Sequence, residues 1–289
     1  GSQNEIVCVV TQPDRKKGRN LLFSSTAVKS TAIKLNLRLL QPEKIDSNFI
    51  NVLKNFKTEL FVVISYGIIL PEELLGIPKK MAINVHASLL PKYRGAAPIN
   101  WAIIRGEKQT GITIIQMNEL MDQGKIIYQK EMAIEDIDTS DTLNIKLSVL
   151  AAECLIKTIK DIENDKINLI EQDSTKVTYA PKLTKSRGVI DWTKSAREIH
   201  NQIRGTIPWP GSYTHWQGKL LKIWESNVIA SENKAFRPGE ITAVSKDGIL
   251  VKTGQNSLII EALQLEAAKK LSVEQFICGH KIKQGDILS

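Results

Sequence analysis

Three things are scarce in this 289-residue chain: long apolar runs, cysteine and, over one stretch, negative charge. No apolar run approaches the roughly 20 residues that span a bilayer, and the start carries no signal-peptide pattern, so a soluble cytoplasmic protein with no membrane partner is expected. Cys8, Cys154 and Cys278 are scattered through apolar settings without metal-ligand spacing, and buried thiols are the expectation for them. The four histidines are far apart as well, so no metal is expected. Acid is thin between Gln12 and Arg38, where Asp14 stands against seven cations (Arg15, Lys16, Lys17, Arg19, Lys29, Lys34 and Arg38), a local excess of six. With an overall charge of +8 and a pI near 9.2, that distribution suggests an anionic partner.

What is present is a chain that is 42% hydrophobic, long enough for two domains with a core each. The stretch Met81 to Arg94, MAINVHASLLPKYR, organises the first of them. Met81, Ile83 and Val85 alternate with Ala82, Asn84 and His86, the period of a strand, so Asn84 and His86 project from one face. Pro91 forces a turn just beyond, which puts the pair near the strand's carboxyl end, where open parallel sheets bind ligands. Between the apolar runs 111–117 and 125–134 lies a loop, 118–124, in which Asp122, two residues before Gly124, can present a carboxylate. Asn, His and Asp together make a reaction centre: an amide to donate to a developing oxyanion, an imidazole to move a proton, a carboxylate to orient it. Read on spacing alone, an ordinary turn pair explains the same residues, and both readings stay open.

Along the chain, the pattern gives a buried strand at 5–11, a helix capped by Ser24 or Ser25 with Ala27, Val28, Ala32, Ile33 and Leu35 on its apolar side, and strands at 37–40 and 60–65 around a helix at 47–56. The 60–65 strand is apolar on both faces, the signature of a parallel sheet covered by helices. A helix opens at Pro98, and another from about Thr139 carries Leu143, Leu147, Leu150, Ala151, Cys154 and Leu155 on one side. Residues 165–186 are polar and irregular, a linker by composition, which divides the chain into 1–164, 165–186 and 187–289. Beyond it come a capping box, Ser195 with Glu198, and short strands at 220–224, 239–244, 249–253 and 258–265, spaced as in a small β-barrel of OB-like type. The basic segment 12–23 reads either as a solvated loop or as a phosphate-binding one.

The strings NVHASLLPKYRGAAPINWAI, GITIIQM and MDQG resemble the core of the 10-formyltetrahydrofolate-dependent formyltransferases. IDWTKSAREIHNQIRGTIPWPGSYT and the Gly-Asp-Ile-Leu ending narrow the resemblance to the members that act on initiator methionyl-tRNA in translation initiation. That resemblance implies a Rossmann-like, doubly wound, mostly parallel α/β domain followed by the OB-like barrel. It implies Asn84, His86 and Asp122 as the catalytic trio and Ser88, Leu89, Leu90 and Pro91 as the folate-binding segment, with 10-formyltetrahydrofolate as co-substrate. It also implies a basic insertion that enters the tRNA acceptor arm, here Arg15, Lys16, Lys17 and Arg19, a further contact at Lys182, and a monomer. Three departures stand out: Met121 replaces the family's Leu before Asp122, Asn20 to Phe23 lack its further Gly and Lys, and its first strand, Gly-containing turn and following helix have no counterpart here. Formyltransferases acting on glycinamide ribonucleotide or on sugar nucleotides share the trio, and an RNA-binding protein with an inactive catalytic half is a non-enzymatic alternative.

Overall fold

The computed structural model describes residues 4–17, 22–231 and 235–289. Two compact units interleave along the chain: one takes the residues up to His86 with Ile112–Lys130 and Ala151–Lys176, the other Ala87–Gly111, Glu131–Leu150 and Val177–Ser289. The elements, in order, are β1 (Val9–Val10), β2 (Arg15–Lys17), β3 (Leu22–Ser24), α1 (Ala27–Lys34), β4 (Leu39–Leu40), α2 (Ser47–Lys54), β5 (Leu60–Val63), α3 (Glu72–Leu75), β6 (Met81–His86) and α4 (Pro98–Ile104). There follow β7 (Gln109–Gln116), β8 (Ile126–Ala133), α5 (Ser140–Glu163), α6 (Ala196–Gly205), β9 (Ser212–Trp216), β10 (Lys219–Ile229), β11 (Ile241–Ser245), β12 (Gly248–Lys252), β13 (Ser257–Leu265), β14 (Leu271–Ser272) and α7 (Val273–Gly279). No helix among the described residues is long and apolar enough to cross a membrane.

In the first unit, β1 pairs in parallel with β4, and a separate sheet runs in the order β5-β6-β7-β8. Among the described residues no strand joins the two. β5 and β6 are parallel, but β7 is antiparallel to β6, so the sheet is mixed where a mostly parallel one was expected. The expectation of two-sided burial over 60–65 fails, since Val62 on β5 and Ile64 just beyond it keep 39% and 52% of their surface exposed. It is β7 that is buried throughout, from Thr110 to Ile115, as a strand flanked on both edges should be. Ile50, Leu53, Leu70 and Leu74 form the core between α2, α3 and the strands. The cap of α1 is Thr26, whose Oγ1 accepts from Lys29 N at 3.0 Å, rather than Ser24 or Ser25, and only Ala32 of the supposed apolar side is buried. Asp46 caps α2 in the same way, accepting from Phe49 N at 2.9 Å, a contact typically worth about 1 kcal/mol.

The second unit is built on the antiparallel sheet β11-β12-β13-β10-β9, with β14 added to β13. A register irregularity between Ile223 and Ser226 bends β10, which pairs with β9 through its first half and with β13 along most of its length. The tail bonds to both edges of this sheet: His215 N donates to Ser289 O at 2.7 Å, and Ile241 N to Asp286 O at 2.9 Å. Ile199 and Ile203 of α6, with the predicted Ser195–Glu198 capping box in place, pack on Leu221, Ile223, Ile249, Leu258 and Ile260. The segment read as linker is partly structural: Ala180 and Leu183 are buried with Tyr93 and Trp101, and Trp101 Nε1 donates to Pro181 O at 2.7 Å. Gly95 makes this approach possible, because it has φ +123° and a Cβ there would lie 2.7 Å from Ala180 O.

One titration is built into this unit. His200, on α6, is buried with Nδ1 3.1 Å from Ser226 Oγ. Burial, with Arg204 and Arg197 nearby, holds its pKa down at about 4 against the partial opposition of Asp136. Between that value and the ordinary His pKa of about 6.5, the unfolded chain binds a proton that the folded chain does not, so stability falls as the pH drops through the window. Urea unfolding of the wild type and of His200→Asn at pH 7 and pH 4.5 should show the wild type losing about 2 kcal/mol more than the variant. Equal losses would mean that His200 is not held neutral.

Candidate functional site

β6 carries Asn84 and His86 to one side of its pleat, with Asn84 opposite Ile115 and His86 opposite Thr113 across the pairing with β7. The loop after β7 returns Asp122 to them. Asn84 Nδ2 donates toward Asp122 Oδ1 at 3.5 Å, and His86 Nδ1 lies 3.6 Å from the same oxygen. Both side chains of the imidazole–carboxylate pair are nearly buried, where charge interactions are stronger than in water. The 3.5 Å separation sits at the outer edge of hydrogen bonding and the 3.6 Å one just beyond it. The three residues that sequence reasoning selected are therefore neighbours within one unit.

The backbone explains why Asp122 reaches this position. It has φ +55°, in the left-handed region that Asp tolerates better than most side chains. Gly124 follows, and a Cβ there would lie 1.7 Å from Gln116 O, so only glycine allows the loop to close against the end of β7. Gln116 N donates to Lys125 O at 2.9 Å and ties the base of the loop.

Two side chains around the trio gave no signal in the sequence. Gln129 Nε2, on β8, donates to Thr113 Oγ1 at 2.9 Å, next to the position of His86 on β6. Gln172 lay inside the composition-defined linker, yet its Nε2 donates to the carbonyls of Asp122 and Gly124, each at 2.8 Å. Nothing in periodicity or composition distinguishes these glutamines from solvated ones.

Ser88 to Pro91 belong to the second unit; Ser88 is fully buried and its Oγ donates to Lys92 O at 2.6 Å, while Leu90 is buried and followed by a cis bond to Pro91. Arg15 is exposed, with Nη2 3.3 Å from Gln12 Oε1. Lys16 and Lys17 lie on β2, which pairs antiparallel with β3. Arg19 lies outside the described residues. One cation of the stretch is neutralised locally, since Lys29 pairs with Asp14 at 2.6 Å. Lys182 is exposed.

An α/β unit holding an amide, an imidazole and a carboxylate at a sheet end, together with an antiparallel β unit, is the layout of a two-module group-transfer enzyme. The family profile described as formyl transferase matches residues 1–159, and that described as formyl transferase, C-terminal domain, matches residues 182–281. The chain belongs to the formyl transferase family. Among its relatives are the methionyl-tRNA formyltransferase of Alkaliphilus oremlandii, 49% identical over 288 residues that cover 99% of this chain and 93% of that one, and the methionyl-tRNA formyltransferase of Acetivibrio thermocellus, 45% identical over 98% of this chain and 92% of that one. The fold is shared with an N-formyltransferase from Helicobacter canadensis solved with folinic acid and dTDP-3-aminofucose, at TM-score 0.63 and 21% identity over 80% of this chain and 81% of that one. It is shared also with HypX from Aquifex aeolicus solved with tetrahydrofolic acid, at TM-score 0.60 and 16% identity over 86% of this chain and 43% of that one.

Proposed function

We propose that this formyltransferase moves the formyl group of 10-formyltetrahydrofolate to the α-amino group of initiator methionyl-tRNA. The observation that carries the reading is near-end-to-end identity of 45% and 49% with methionyl-tRNA formyltransferases in a chain whose Asn84, His86 and Asp122 converge. In the reaction, the bond from formyl carbon to folate N10 breaks and one from the same carbon to the amino nitrogen forms. The folate supplies an activated one-carbon group. Asn84 donates to the formyl oxygen as it gains negative charge, His86 donates to it or carries the amine's proton toward N10, and Asp122 orients His86. The donor set suits a carbonyl-derived oxygen, since an amide and an imidazole, two groups able to donate, stand beside a single carboxylate.

Folate contact is assigned to Ser88, Leu89, Leu90 and Pro91, and tRNA contact to Arg15, Lys16, Lys17, Arg19 and Lys182. The catalytic module is 1–164, the linker 165–186 and the tRNA-facing module 187–289, the last read as an OB-like barrel. Support for a barrel comes from the tail, which bonds to both edge strands of the sheet. Incubating the protein with labelled folate donor and charged initiator tRNA should give formylmethionyl-tRNA, with retention of that tRNA in filter binding. Transfer to a dTDP-amino sugar without transfer to the tRNA would overturn the reading.

A further inference from the structure

Gln172 grips the backbone of the Asp122 turn from a segment outside the loop. Its segment is brought there by a two-way backbone pair, Ile126 N to Ile170 O at 2.8 Å and Ile170 N to Ile126 O at 2.9 Å. Two residues further on, Gln172 turns its amide toward the loop. Both groups it meets are carbonyls, those of Asp122 and Gly124, so the end of the amide that faces them is its NH2 and both hydrogens are used. The two accepting residues bracket Gln123, and Asp122 itself holds φ +55°. A residue in that region persists when its surroundings over-determine it. Here the surroundings include Gly124 pressed against β7 and the Gln172 amide on the carbonyls of Asp122 and Gly124.

We propose that Gln172 is a positioning residue for formyl transfer, acting through Asp122 by fixing where the carboxylate stands relative to His86 and Asn84. This rests on the role assigned to Asp122 under the proposed function. Gln172→Glu keeps the shape and removes both donors, placing a carboxylate oxygen against two carbonyl oxygens. Gln172→Ala removes the group altogether. Both should lower kcat by at least about tenfold, because an ångström of displacement at a reacting centre is enough to do so, and leave KM for folate and for tRNA within about twofold.

The decisive comparison is a double-mutant cycle with Asp122→Asn. If Gln172 works through the carboxylate, Gln172→Glu adds no more than about a twofold loss in the Asp122→Asn background. An equal loss in both backgrounds would show a general structural role and overturn the proposal, as would normal kcat in Gln172→Glu when Asp122→Asn is impaired. Asp122→Asn with unimpaired turnover would instead remove the role of Asp122 itself. Should Gln172→Ala fold poorly, the isosteric Glu variant, with its thermal midpoint measured alongside, carries the test.

Discussion

His86→Ala is expected to lower formyl-transfer turnover by about a hundredfold or more, with folate affinity little changed, and Asn84→Ala to do the same. The magnitude follows from what the side chains are asked to do. A donor aimed at a developing oxyanion is worth about 3 kcal/mol, and that interaction exists only when the oxygen is charged, so its loss falls on kcat rather than on binding. His86 and Asn84 issue from one strand and share one carboxylate oxygen at 3.6 and 3.5 Å, so either deletion also leaves Asp122 with one partner fewer in a nearly buried site. Steady-state kinetics with folate and tRNA varied separately, plus equilibrium folate binding, separate the two effects. Near-normal turnover in either variant would sink the trio as a reaction centre.

Local rules made these residues a candidate centre but left an ordinary turn pair equally open, and the resemblance of NVHASLLPKYR and MDQG to the formyltransferases is what selected the trio. Period two puts Asn84 and His86 on one face, and Asp two residues before Gly suits a tight loop, so the convergence needed only that β7 and its loop return beside β6. Features that depend on partners distant in the chain were not legible. The direction of β7 is set by the sheet and not by its own apolar run. β9 was missed because two of its three inward positions, Ser212 and Thr214 beside Trp216, are polar residues whose burial depends on Thr206 Oγ1, 2.9 Å from Ser212 Oγ, and on Trp192 Nε1, which donates to Thr214 Oγ1 at 3.0 Å. Val28, Ile33 and Leu35 failed in the opposite sense: α1 is patterned for burial, yet all three are exposed. Gln172 illustrates the general limit, since a polar residue in a polar stretch meets the Asp122 turn only where the Ile126–Ile170 pairing brings its segment there.

Gly124→Ala should be as damaging as loss of a catalytic side chain, although it removes no functional group. A Cβ at this position would stand 1.7 Å from Gln116 O and 2.9 Å from Gln116 C, and both are backbone atoms that no rotamer change can move. Gln116 is the last residue of β7 and its N–H bonds to Lys125 O, so relieving the clash separates the strand ends by more than an ångström and carries Asp122 away from His86. A shift of that size costs about a hundredfold in kcat, and the strain adds about 1–3 kcal/mol of instability. Gly254→Ala provides the contrast in the other unit, where a Cβ would lie 1.8 Å from Thr193 O. That variant should lower the thermal midpoint comparably while the protein that remains folded keeps its kcat. Measured side by side at a temperature where both are folded, the two alanines therefore separate steric damage in general from displacement of the carboxylate; equal kcat in the two would mean that the closeness of Gly124 to β7 serves stability alone.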